Sequence, residues 1–94
     1  MGIPVTINKK RWSLVFRRLA KNDGECDSPT APKKQIRISP VVVKDDERYM
    51  DTVLHELLHA GCWSLDEEFV SEYARVAAKT LHRLGFRLTD EPGY

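Results

Sequence analysis

No stretch of this chain approaches the ~18 consecutive apolar residues that a membrane-spanning helix requires, so such a helix is excluded. The start, Met1-Gly2-Ile3-Pro4, carries neither the basic nor the apolar region of a secretory signal. A cytoplasmic protein is therefore expected, with no membrane partner. Cysteine is scarce. Cys26 and Cys62 are the only two in 94 residues, too few for a disulfide framework, and a reducing cytosol would keep them as thiols. An excess of one charge sign is missing as well. Fifteen Lys and Arg stand against 14 Asp and Glu, for a net charge of +1, which argues against a chain whose main task is gripping nucleic acid. The clusters Lys9-Lys10-Arg11, Arg17-Arg18 and Lys33-Lys34 read as solvated surface. There is no internal repeat and no low-complexity tract.

What is present is enough for a globular α+β domain. Hydrophobic residues make up 41% of the chain, above the range of disordered segments, and the length suits one domain over residues 1–94. A domain this short buries a limited fraction of its surface, so a bound metal would add folding free energy.

The first half reads as β. Val5 and Ile7 alternate with polar neighbours, Asn8-Lys9-Lys10 can turn the chain, and Trp12, Leu14 and Phe16 alternate again. Strands are expected near 3–7 and 11–17; Trp12, Val15, Phe16 and Leu19 also fit helical spacing, but we prefer the strand. Residues 22–34 are rich in breakers and read as a loop. A strand is expected at 35–39, with Ile36 and Ile38 on one face and Pro40 at its end.

The second half reads as helical. Asp45, Asp46 and Glu47 place acids where the dipole of a starting helix favours them. One helix is expected at about 46–60, stopped by Gly61, and a second at about 65–84, stopped by Gly85. Ser64 and Glu67 have the spacing of a capping box. The tail, 88–94, is expected to be flexible.

Within the first helix lies His55-Glu56-Leu57-Leu58-His59. Histidines four apart stand one above the other on a helix, so their ring nitrogens can reach a single Zn²⁺. Glu56 sits beside the metal without ligating it, where it can take a proton from a water and pass it on. Val53, Leu54, Leu57 and Leu58 form the apolar stripe, with His55 and His59 nearly opposite. That phasing predicts a helix with its back on the core and its front on a cleft.

A catalytic zinc site needs a third protein ligand. His82, the one remaining histidine, lies far along the second helix, so a carboxylate is preferred from Asp66, Glu67, Glu68 and Glu72. If Phe69, Val70, Tyr73, Val76, Ala77, Leu81 and Leu84 form the buried face, Glu68 and Glu72 point to solvent. Asp66 then lies near the centre of that face and Glu67 at its edge. We choose Glu67, whose competing role is the capping box with Ser64. Cys62, three residues beyond His59, is a further ligand candidate if the helix continues past Gly61.

On these residues the chain resembles the gluzincin class of zinc peptidases. Leu65-Asp66-Glu67-Glu68-Phe69-Val70 is similar to the glutamate-bearing stretch of aminopeptidase-type gluzincins, with Glu67 at the ligand position. Arg11-Trp12, Gly24-Glu25-Cys26-Asp27, Ile36-Arg37-Ile38, the histidine motif with Leu54 and Ala60, and Leu84-Gly85-Phe86 extend the likeness to small phage and bacterial zincin-like proteins. The resemblance implies a minimal zincin: a small sheet, an active-site helix and a glutamate helix. Two departures matter. Only seven residues separate His59 from Glu67, which demands a tight helix–turn–helix, and no second domain supplies a far cleft wall.

The expected function is a Zn²⁺-dependent metallopeptidase acting on a peptide or protein substrate, in the host cytoplasm if phage-encoded. The substrate would pair with the 35–39 strand, Glu56 would be the general base, and Tyr73, Tyr49 or His82 would supply an oxyanion donor. The alternative is a zinc-stabilised, non-catalytic interaction or regulatory module of a phage or bacterium.

Overall fold

Two alternating segments meet at a turn that only particular backbones accept. Asn8 and Lys9 both have positive φ, 53° and 64°. That pair of left-handed residues matches the right-handed twist of flanking strands, and Asn tolerates it well. It joins β1 (Ile3–Ile7) to β2 (Lys10–Phe16) in antiparallel register, with Val5 opposite Trp12 and Ile3 opposite Leu14. The structure, a computed structural model, describes residues 2–88. The expectation for the tail therefore falls, beyond Leu88, outside the described residues.

Beyond β2 the topology departs from a simple meander. β4 (Gln35–Ile38) pairs with β2 in parallel, and a short β3 (Gly24–Cys26) pairs antiparallel with β4, for a strand order β1-β2-β4-β3. The breaker-rich segment is thus not all loop. Side chains explain why three residues hold as a strand. The Arg37 guanidinium, 17% exposed, donates from Nη2 to Asp27 Oδ1 at 2.7 Å and from Nε to Glu25 Oε1 at 3.1 Å. Asp27 Oδ2 also accepts from the Gln35 amide at 2.9 Å. Such charge-assisted bonds are about twice as strong as neutral ones; chiefly through the Arg37 bond, they hold the Asp27 carboxyl below the usual carboxylate range.

This order corrects a second expectation. β4 is paired on both edges, so a substrate cannot add to the 35–39 strand; the edge on that side of the sheet is β3.

One face of the sheet carries the core: Trp12 and Leu14 from β2, Ile36 and Ile38 from β4, and Val42 from a 3-10 turn at Pro40–Lys44. Helix α1 (Asp46–Gly61) covers that face with Tyr49, Val53, Leu57 and Ala60. Its start is capped by Asp45, whose side chain accepts from the Arg48 amide at 3.1 Å. Gly61 is its last helical residue rather than a left-handed stop, and Asn8 Nδ2 donates to the Gly61 carbonyl at 2.9 Å. The hairpin turn therefore caps the far end of α1.

Helix α2 (Glu67–Arg83) packs on α1, and the face expected from the sequence holds at Val70 but not at its large residues. The fully buried residues are Val70, Ala74 and Ala78, whereas Phe69 is 50% and Tyr73 53% exposed, stacked on each other; Val76 and Leu84 are also exposed. Small side chains let two helix backbones approach closely, so the contact selects the alanines and leaves the aromatics outside. The N-cap is also different. Asp66, not Ser64, caps α2, with Oδ2 accepting from the Phe69 amide at 3.2 Å. At the other end Gly85, with φ 98°, closes a Schellman motif: its amide donates to the His82 carbonyl and that of Phe86 to Leu81. Among the described residues no helix is long and apolar enough to cross a membrane.

Candidate metal centre and cleft

The phase of α2 decides the site. Glu67 is the first residue of α2 and lies on the same stripe as Val70, Ala74 and Ala78, facing α1. Its carboxylate meets the two imidazoles that α1 presents one turn apart. His55 Nε2 lies 3.1 Å from Glu67 Oε2, His59 Nε2 lies 2.9 Å from Glu67 Oε1, and the two Nε2 atoms are 3.2 Å apart. These three residues are the one group of potential metal ligands found among the described residues, with donor atoms within 4.8 Å of one another.

Two imidazoles and one carboxylate are a donor set that zinc accepts. A tetrahedral ion with bonds near 2.0–2.1 Å sets its ligand atoms roughly 3.3 Å apart, close to the separation of the two imidazole nitrogens. In donor type and proximity, with one atom from each residue within 4.8 Å of the others, the three residues fit such an ion. Ser71 Oγ donates to Glu67 Oε2 at 3.0 Å and orients the carboxylate. Burial would raise the Glu67 carboxyl, but the Ser71 bond and the two imidazoles outweigh it and hold it below its usual value.

Glu56 takes a different direction. It is 7% exposed and faces the sheet side of α1, between the histidine pair and β3. Burial first, then the negative charges of Glu67 and Glu25, push its carboxyl up to about 7, against a lowering by Arg37. A group with that value is half ionised near neutrality, where a general base works best.

The shift also bears on stability. In the unfolded chain Glu56 titrates near 4.5. As pH rises above that value the unfolded chain gives up its proton first, so the metal-free native state loses stability until about pH 7, and the penalty persists above. Glu56→Gln should therefore stabilise the metal-free protein by about 2–3 kcal/mol at pH 8 and by almost nothing at pH 4. Urea denaturation of wild type and variant in chelator at both pH values checks this; an equal effect at both would show that Glu56 is not held out of water.

These groups line a cleft of about 840 Å³. One wall is β3, with Gly24, Glu25 and Cys26; the floor is α1, with Asp51, Thr52, His55, Glu56 and His59; Trp63, Leu65 and Glu67 close the other side. Trp63 is half-exposed and sits edge-on to His59, ring centroids 6.3 Å apart. At the opposite end Arg48 grips Asp23 through two bonds of 2.8 and 2.7 Å, tying the approach to β3 onto α1. Asp51, one turn before His55, has its carboxyl raised chiefly by burial. Burial, with the Glu56 and Asp27 charges, pushes the Cys26 thiol up to about 12.

The other sequence-derived candidates lie elsewhere. Asp66 caps α2 and Glu72 pairs with Arg75 at 2.8 Å. Glu68 and Cys62 are exposed; the Cys62 sulfur lies 3.7 Å from Ser64 Oγ and outside the donor group. None of the three residues considered as oxyanion donors lines the cleft. Tyr49 is in the core edge-on to Phe16, Tyr73 is on the outer face of α2, and His82 Nδ1 is 3.9 Å from Glu47 Oε1. Sequence reasoning missed the wall formed by β3 and the pair Trp63 and Leu65. β3 is too short for periodicity, and only the Gly24-Glu25-Cys26-Asp27 likeness pointed towards it.

Comparison with known proteins agrees with this geometry. The chain is 41% identical over 65 residues to the germ cell nuclear acidic-1 protein of Caenorhabditis elegans. That alignment spans 69% of this chain but 12% of the nematode protein. No solved structure matches this chain. A family model described as the SprT-like family matches residues 5–82. With that match running from β1 to the last turn of α2, the chain belongs to the SprT-like family, whose domains bind zinc and are related to the zincin-like metallopeptidases.

Proposed function

We propose that this domain is a zinc-dependent peptidase in which His55, His59 and Glu67 hold the metal and Glu56 is the general base. The observation that carries the reading is the convergence of one donor atom from each of three residues, all within 4.8 Å of one another, beside a buried carboxylate. Zinc held there would supply Lewis acidity and make water more acidic at the site. The chain's own residues do the rest. Glu56 accepts the proton released as water attacks the scissile carbonyl, then returns it to the departing amine. Burial keeps Glu56 dry and close to its task. An extended peptide adds to the free edge of β3, where backbone bonds align it and side chains enter the cleft between β3 and Trp63.

The test is cleavage of an unstructured peptide library by the zinc-loaded protein and its loss on chelation. No cleavage by fully zinc-loaded protein would replace the peptidase reading with that of a zinc-stabilised, non-catalytic module. The ligand set is tested separately. Glu67→Ala should weaken zinc binding more than the ~10–100-fold that loss of an outer partner costs, whereas Glu68→Ala should leave it unchanged. Competition with a chromogenic chelator measures both; equal effects would reject Glu67 as the third ligand.

A further inference from the structure

We infer that Gly24 is a positioning residue: its bare α-carbon forms the slot in which the Glu56 side chain lies, and so fixes where that carboxylate stands relative to His55 and His59. The inference rests on the peptidase reading above. A β-carbon at residue 24 would lie 2.9 Å from Glu56 Cγ, 2.9 Å from Thr52 Cγ2 and 3.0 Å from Glu56 Oε2. All three distances are well inside van der Waals contact. The glycine is not there for its backbone, because Gly85 is the one glycine of the described residues with positive φ. Residue 24 sits in ordinary strand pairing with Ile38. What the position requires is room.

The walls of the slot cannot easily yield. On the β3 side, Arg37 clamps Glu25 and Asp27, and Arg48 holds Asp23 through both guanidinium bonds. On the α1 side, Thr52 Oγ1 donates to the Arg48 carbonyl at 2.8 Å, which fixes the rotamer that aims Cγ2 at Gly24. The unclamped member is the Glu56 side chain. Once Thr52→Ser removes Cγ2, a methyl group at residue 24 would therefore displace the Glu56 side chain, and the metal donors His55, His59 and Glu67, none of which it touches, would stay in place.

Two linked experiments test this, both in a Thr52→Ser background that removes Cγ2 from the slot and keeps the hydroxyl bond to the Arg48 carbonyl. In Gly24→Ala, zinc affinity should be unchanged, KM little altered and kcat lower by about 10²-fold, the scale of a 1 Å misplacement. Gly24→Ala added to Glu56→Gln should cause no further loss, since both act through one group. Wild-type kcat in Gly24→Ala, or a further drop in the double variant, overturns the inference. The second experiment needs no activity. In metal-free protein, Gly24→Ala should lower Tm by about 5–15 °C, and by much less when Glu56→Ala empties the slot. An equal loss of Tm in both backgrounds overturns the inference even if the wild type proves inactive. Inactivity of zinc-loaded wild type with this coupling intact removes the peptidase reading alone. Should Gly24→Ala fail to fold, recovery by Glu56→Ala but not by Glu25→Ala supports the slot, and failure in both backgrounds overturns it.

Discussion

Glu56→Gln is expected to lower kcat/KM for peptide hydrolysis by about 10³-fold, within the ~10²–10⁴ that a positioned general base contributes. That factor corresponds to about 4 kcal/mol of lost transition-state stabilisation. Glutamine keeps the size and shape of the side chain, so the slot beside Gly24 and Thr52 stays filled. It removes the one property the mechanism needs, a carboxylate able to take a proton. The metal should remain, because the group of converging donors comprises His55, His59 and Glu67 and does not include Glu56. Steady-state kinetics with metal analysis on the same preparation decides the matter. Undiminished cleavage would mean that another group is the base; loss of zinc would mean that Glu56 is a ligand.

Removing zinc should lower Tm by roughly 20 °C when free zinc stands about a thousandfold above its Kd, a linkage worth about 4 kcal/mol in a domain of this size. The size of the effect follows from zinc concentration and affinity; the part of the fold it acts on is the attachment of α2. Its buried residues are one valine and two alanines, which bury little apolar area, and Glu67 ties its first turn to α1 through His55 and His59. An ion shared by those three residues therefore joins the two helices at the end where α2 begins. His59→Ala should abolish the dependence of Tm on zinc, with a melting point near that of the stripped wild type. Calorimetry across a zinc titration measures both. A wild-type Tm indifferent to zinc would show that the ion does not join the helices.

The α+β architecture was legible where periodicity is long or chemistry local. The alternation around Asn8-Lys9 matches a hairpin because the turn and the buried face agree. The spacing of His55 and His59 places two imidazoles together on any regular helix. β3 was not legible, because its stability comes from Arg37 bonds to Glu25 and Asp27, partners 10–12 residues away that no local window compares. The face of α2 was misread for a related reason. Hydrophobic weight favoured Phe69 and Tyr73, whereas helix–helix approach favoured Ala74 and Ala78. The sequence places Glu67 at the rim of the buried face, whereas it lies in line with the buried stripe. The capping role assigned to Ser64 belongs to Asp66, which stands immediately before the first helical residue.

If the sheet keeps one edge unpaired to receive a peptide, as proposed, it also offers that edge to its own copies. Here the open edge, β3, is three residues long, and the opposite outer strand, β1, contains Pro4, which withholds an amide from any ladder. Neither border gives a neighbouring molecule enough consecutive backbone bonds to seed aggregation. Lengthening β3 to grip ligands more firmly would erode that protection.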